Sequence, residues 1–266
     1  MAQTHETEPS YRLETAVAPR WYLSPKWVRA FLAGQAVVDS KHAHLLREGG
    51  PPKYYFPRDD VAMDRLTPSG HTENAANKGD ATYFNVEVDG RVAENAAWTY
   101  ADPVPDASFL KDQISFDWPS MDAWFEEKEE VFVHARDPFK RIDSMKSSRH
   151  VRVVIDGETV ADSSEPVVLY EPGHPIRYYL PKADVRMDLL RPSERRSRCA
   201  YKGEALYYSV QTPEKLAQDV AWYYPYPTPE TAKIAGMLCF FNERVDELYV
   251  DGELAPRPKT AWSQVR

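Results

Sequence analysis

Tyr178 to Val210 reads YYLPKADVRMDLLRPSERRSRCAYKGEALYYSV, and Tyr54 to Val86 reads YYFPRDDVAMDRLTPSGHTENAANKGDATYFNV. The two align without a gap at an offset of 124 (Tyr178 minus Tyr54), and the match runs on to Trp98 and Trp222. A second block, WVRAFLAGQAVVDS from Trp27 and HVRVVIDGETVADS from His150, repeats at an offset of 123, so one residue is inserted near His174 and Pro175. The chain therefore says nearly everything twice, and whatever fold one copy takes, the other takes too.

The copies read as strands. Val151, Val153 and Ile155 alternate with Arg152 and Val154. Asp156-Gly157 then supplies a two-residue turn that needs positive φ, and the chain returns through Thr159 to Ala161. Ala33-Gly34 is the first-copy version, and Asp89-Gly90 opens a second hairpin that copy two replaces with Pro213-Glu214-Lys215. In the segment from Asp184, Val185, Met187 and Leu189 alternate with Asp184, Arg186 and Asp188, which reads as another strand with charges on one face. GHTENAA and ERRSRCA read as a variable loop, and VFV at 131–133 as a short strand. Proline-rich loops follow Trp98 and Trp222. Pro105 and Pro229, each trailed by an acid, suit the first turn of a short helix.

These features predict a mostly β protein: two tandem antiparallel β-domains, each with a short helix, packed as a pseudo-dimer with the halves pairing within the chain. The expected boundaries are an arm at 1–26, a first domain at 27–126, a linker at 127–144, a second domain at 145–254 and a tail at 255–266. Trp21, Tyr22 and Trp27 suggest that the arm docks on the protein's own core.

Composition narrows the partners. The net charge of −8 argues against general binding to nucleic acid or an anionic membrane. No apolar run approaches the ~20 residues of a bilayer span. Cys199 and Cys239 form no CxxC pair, which suits a reducing cytoplasm.

GETVADS, YYLPKADVRMDLL, CAYKGEALYYSV, AENAAW and the proline loop resemble the domain of unknown function family DUF427, sometimes labelled nucleotidyltransferase-like, over about residues 27 to 126 and 145 to 252. The linker from His134 resembles that of two-copy bacterial members. The resemblance implies a β-tent type of fold with a short helix and transfers no established activity. Copy one departs from the family's CPYKG-like motif, with Ala75-Ala76-Asn77 before Lys78. Copy two keeps Cys199-Ala200-Tyr201 before Lys202 but has AQDVAW in place of AENAAW. One composite site, two unequal sites, or drift in a structural protein all fit that pattern.

Several groups are candidates for chemistry. Lys78 and Lys202 each precede a glycine at the mouth of a strand, where a phosphate or carboxylate can approach closely; the alternative is an exposed turn lysine. Asp64 and Asp188, with Asp60 and Asp184 four residues earlier, are candidate carboxylates. Four strand residues span roughly 13 Å, so one metal needs help from elsewhere, such as Glu94, and a solvated strand face is the simpler account. Trp98, Tyr100 and Tyr83, with Trp222, Tyr224 and Tyr207, form either an aromatic wall for a planar or cationic ligand or a domain core. Cys199, near Arg195, Arg196 and Arg198, is a candidate thiolate in copy two alone. His42 and His44 lack a third metal ligand, so no metal site is assigned, and the sequence leaves any cofactor open.

Two functions remain open. One is a small-molecule binder or enzyme, with a pocket of aromatic residues and the Lys-Gly step taking a nucleotide or other small anionic or planar ligand; if an enzyme, the family label points to a transferase. The other is a non-catalytic interaction module built from two β-domains.

Overall fold

In the computed structural model, residues 19–264 are described. They divide into two compact units, with the boundary between Pro138 and Phe139. The expected arm therefore falls largely outside the described residues.

The first unit holds β1 (Arg20–Leu23), β2 (Val28–Leu32), β3 (Gln35–Ser40), β4 (His44–Arg47), β5 (Lys53–Pro57), β6 (Leu66–Ala75), β7 (Gly79–Val88), β8 (Arg91–Tyr100), β9 (Gln113–Phe116), β10 (Ala123–Glu126) and β11 (Glu129–Glu130). A seven-stranded sheet runs β1-β4-β5-β9-β8-β7-β6, and a four-stranded sheet runs β11-β10-β2-β3. The second unit holds β12 (Asp143–Lys146), β13 (Val151–Ile155), β14 (Glu158–Ser163), β15 (Val167–Tyr170), β16 (Arg177–Leu180), β17 (Leu190–Cys199), β18 (Gly203–Gln211), β19 (Leu216–Tyr223), β20 (Leu238–Phe240), β21 (Glu247–Val250) and β22 (Glu253–Leu254). Its sheets run β12-β15-β16-β20-β19-β18-β17 and β14-β13-β21-β22. Every strand pair in these sheets is antiparallel, so the mostly β, two-copy architecture stands.

Alternation explains the layers. In β2, Val28, Ala30 and Leu32 are fully buried while Arg29 and Phe31 are not. They meet Leu45, Tyr54, Phe56, Val86, Ile114 and Phe116 of the large sheet in one core. Residues of opposite parity, such as Leu46, Tyr55 and Tyr100, form a separate cluster on the other face of the seven-stranded sheet. The second unit repeats both clusters. The hairpin turns are as read: Ala33-Gly34, Asp89-Gly90 and Asp156-Gly157 all have positive φ at both positions.

Three local readings are corrected. The GHTENAA and ERRSRCA segments, up to Ala75 and Cys199, belong to the ten-residue edge strands β6 and β17. Pro68 and Pro192 are tolerated there because an edge strand has one unpaired side, and a bulge follows each proline. The alternating DVAMDRL and DVRMDLL segments are not strands. Each is a pair of 3-10 turns, Arg58–Asp60 with Met63–Arg65 and Lys182–Asp184 with Met187–Leu189. Val61 and Val185 between the turns are buried, so the apolar pattern is obeyed with a different backbone. Finally, residues 131–133 carry no strand. The expected short helices are 3-10 segments, Pro105–Leu110 and Pro229–Ile234, kinked at Ala107 and Thr231, that bury Leu110 and Ile234.

Candidate functional site

The Lys-Gly step closes the β6–β7 and β17–β18 turns. Gly79 (φ +100°) and Gly203 (φ +91°) lie in the left-handed region. A Cβ on either would sit 3.1 Å from a backbone oxygen, that of Asp102 or Tyr226. The glycines thus make room for the chain's own proline-rich loop rather than for a ligand. Val104 N–H donates to the Lys78 carbonyl at 3.1 Å, and Thr228 Oγ1 donates to the Tyr201 carbonyl at 2.5 Å, pinning the same loop in each unit. We expect Gly203→Ala to destabilise the protein by about 1–3 kcal/mol through backbone strain and crowding, as read by denaturant unfolding. A neutral effect would show that the loop gives way.

Both lysines find a glutamate. Lys78 Nζ lies 2.5 Å from Glu48 Oε2, with both side chains mostly buried. Lys202 pairs with Glu171, which is also held by Lys140 at 2.7 Å and by His174 at 3.7 Å. Glu48 and Glu171 each directly follow a strand, β4 or β15, and correspond at the offset of 123. The repeat could have identified them, but they were not singled out because their chemistry depends on a lysine about 30 residues later. Burial alone would raise the Glu171 carboxyl, yet Lys202, His174 and Lys140 hold it at about 2. Burial works to lower the Lys202 ammonium, but Cys199 and Glu171 outweigh it and raise its pKa. His174 is pushed below its usual value, chiefly by burial.

Cys199 is half-buried beside this cluster, whereas burial pushes the Cys239 thiol up to about 12. The nearby arginines are engaged. Arg196 and Arg198 pair with Glu204 at 3.1 Å each, and Arg195 lies over the Tyr207 ring at 4.8 Å.

In the first unit a cavity of about 420 Å³ opens at the lysine. Leu46, Val104, Ala107 and Phe109 supply its apolar lining, and Lys78, Glu48, Asn77 and Asp106 its polar groups.

The aromatic residues sit on the same face of the large sheet. Trp98 Nε1 donates to the Tyr55 hydroxyl at 3.4 Å, and Trp222 Nε1 to the Tyr179 hydroxyl at 3.3 Å. Tyr100 and Tyr224 are buried. Burial, with a contribution from Glu48, pushes the Tyr100 phenol up to about 12. Tyr224 is raised chiefly by burial, in a cluster with Tyr179, Tyr207 and Trp222. Trp222 and Tyr207 are each 7% exposed, but Trp98 and Tyr83 remain half-buried.

The carboxylate candidates are not brought together. Asp60 and Asp184 accept hydrogen bonds from Ser40 Oγ (2.6 Å) and Ser163 Oγ (2.7 Å). Asp64 is exposed, and exposed Asp188 takes both ends of the Arg186 guanidinium at 2.9 and 2.7 Å. His42 pairs with Asp60 at 3.0 Å, while His44 stacks on Trp21 at 4.6 Å. Among the described residues, no group of three or more His, Cys, Asp or Glu is placed to hold a metal ion. No helix among them is long and apolar enough to cross a membrane.

Comparison with known proteins adds one match. A family model described as a domain of unknown function (DUF427), and named as a nucleotidyltransferase-type domain, covers residues 24–127 and 143–251. No curated protein matches the chain.

Proposed function

The chain belongs to the DUF427 family as two copies in tandem, and on that footing we propose that it binds a small molecule in the cavity beside Lys78. The observation that carries this reading is the pairing of a lysine cation with an apolar floor in a space of about 420 Å³. That volume falls within the range of about 300–1,000 Å³ usual for ligand sites. A lysine ammonium has three donors, so Lys78 can keep Glu48 and still accept a ligand phosphate or carboxylate. Glu48 and Asp106 leave the lining net negative, which favours a ligand of low charge over a polyphosphate. A nucleoside monophosphate or another phosphorylated or carboxylated metabolite fits. The two lysine side chains are similarly buried, 13% and 11% exposed, but Lys202 shares Glu171 with Lys140, so the first copy, with its cavity, is the better candidate.

Thermal-shift screening of such metabolites tests the reading. A ligand at about one hundred times its Kd adds about 2.7 kcal/mol to the native unit, enough to raise Tm by roughly 10 °C. The shift should vanish in Lys78→Ala and survive in Lys202→Ala. No stabilising compound, or a shift unaffected by Lys78→Ala, would reject the site.

One observation favours the interaction-module reading. Tyr226, between Pro225 and Pro227, is 90% exposed. An aromatic ring on a proline-rich loop suits a protein contact. Capture of one defined partner by the wild-type chain, lost in Tyr226→Ala and accompanied by no compound-induced stabilisation, would favour it. Tyr224 is buried and is no part of such a surface.

A further inference from the structure

The second unit displays what its outer aromatic face is built to hold. Phe241 packs against Trp222 with ring centroids 4.3 Å apart and is stacked with Tyr207 at 6.5 Å. The Arg177 guanidinium lies over both Trp222 (5.4 Å) and Phe241 (5.7 Å). It is held by Glu243 through two 2.7 Å hydrogen bonds. A ring and a carboxylate two residues apart, Phe241 and Glu243, thus cover the face, and Trp222 and Tyr207 are buried beneath them.

The first unit has the same platform without the ring and carboxylate that Phe241 and Glu243 lay over it in the second. Trp98 and Tyr83 pack 5.9 Å apart, and Lys53 Nζ lies 5.8 Å over the Trp98 ring, in Arg177's place. The register is unambiguous: Tyr55 pairs with Ser115 as Tyr179 pairs with Cys239. Phe241's counterpart is Asp117. Its N–H makes the equivalent backbone bond, to the Ala96 carbonyl where Phe241 bonds to that of Val220. Asp117 turns back to its own loop, its carboxylate accepting from Ser120 N–H (3.1 Å) and Oγ (2.6 Å). Pro119 stands where Glu243 does, so positions 117 and 119 supply neither ring nor carboxylate; His71 borders the platform from β6 instead, its ring 4.8 Å from that of Tyr83 and its Nε2 3.2 Å from Glu73.

We propose that the Tyr83–Trp98 face of the first unit binds a free small aromatic carboxylate, whose ring takes Phe241's place and whose acid group takes Glu243's place against Lys53. A flat ring buries its faces against Trp98 and Tyr83. The acid answers a lysine that covers an aromatic ring and is otherwise exposed. Glu73, which accepts from the Tyr83 hydroxyl at 2.9 Å, and Asp117 border the face, so a second negative charge on the ligand is disfavoured. This inference is independent of the Lys78 cavity.

Titration calorimetry of the full chain with 3-phenylpropionate and indole-3-acetate, against their amides and phenethylamine, tests it. The carboxylates should bind more tightly than the amides by about two- to fivefold, the worth of an exposed ion pair, and Lys53→Ala should erase that difference. Asp117→Phe should fill the place and weaken binding by at least about tenfold. Should that variant fail to fold by circular dichroism, Tyr83→Ala carries the same expectation. No binding of any aromatic carboxylate, tighter binding of the amine, or binding undiminished by these variants would overturn the proposal. Lys78→Ala should leave this binding unchanged, which separates its outcome from that of the cavity.

Discussion

Glu171→Gln should be among the most damaging single substitutions in the chain, costing about 3–5 kcal/mol of the second unit's stability. Removing one partner of a buried ion pair leaves the other charge without compensation. Here the stranded groups are Lys202 and Lys140, with His174 beside them, around a carboxylate that is 5% exposed. Hydrogen exchange over β15 and β18 should show the loss, with β4 and β7 of the first unit unaffected. The same carboxylate sets an acid limb. Its folded pKa, about 2, is below its ordinary 4.5, so its contribution is complete above pH 4.5 and is lost as pH falls through 2. His174, lowered by burial from 6.5, adds in the same direction: its neutral form suits the fold, and acid removes that advantage. Glu171→Gln should reduce the part of the limb between pH 4.5 and 2, leaving the share of other lowered carboxylates such as Glu243 and Asp246. A wild-type limb in the variant would show that Glu171 does not titrate as the geometry requires.

Trp222→Ala should cost about 3–5 kcal/mol, the range for emptying an aromatic side chain from a packed interior. Trp222 is 7% exposed, wedged against Phe241 and hydrogen-bonded to Tyr179. Trp98→Ala should cost about half as much, because Trp98 keeps a free face and packs on Tyr83 and Tyr55 without a ring in Phe241's position. Chemical denaturation read by hydrogen exchange in each unit measures both. Equal costs would mean that Trp98 is as much a core residue as its copy, and would weaken the ligand face proposed for it.

The same tryptophan thus has two environments in one chain, and the reason was only half visible beforehand. A tryptophan at the end of a strand in both copies was plain from the alignment. Its burial depends on residues 19 positions further on, Asp117 in one copy and Phe241 in the other, which a local reading does not connect. The Lys-Gly step behaved similarly. Its glycine was legible as a special backbone position, but the approaching backbone proved to be the proline loop. The double 3-10 turns escaped because a buried valine with polar or small neighbours satisfies a period of two even where the residues on either side form turns.

Alternating apolar residues, the Gly turns and the internal repeat determined the strands, the two-copy plan and the antiparallel class, because those follow from short-range sterics and from which side chains must leave water. What the tertiary structure decided was which glutamate each lysine meets, and which tryptophan is covered and which is left half bare. Those outcomes turn on contacts between residues tens of positions apart, such as Glu48 with Lys78, Glu171 with Lys202 and Arg177 with Glu243. A charge or a ring acquires its environment only when distant strands register side by side.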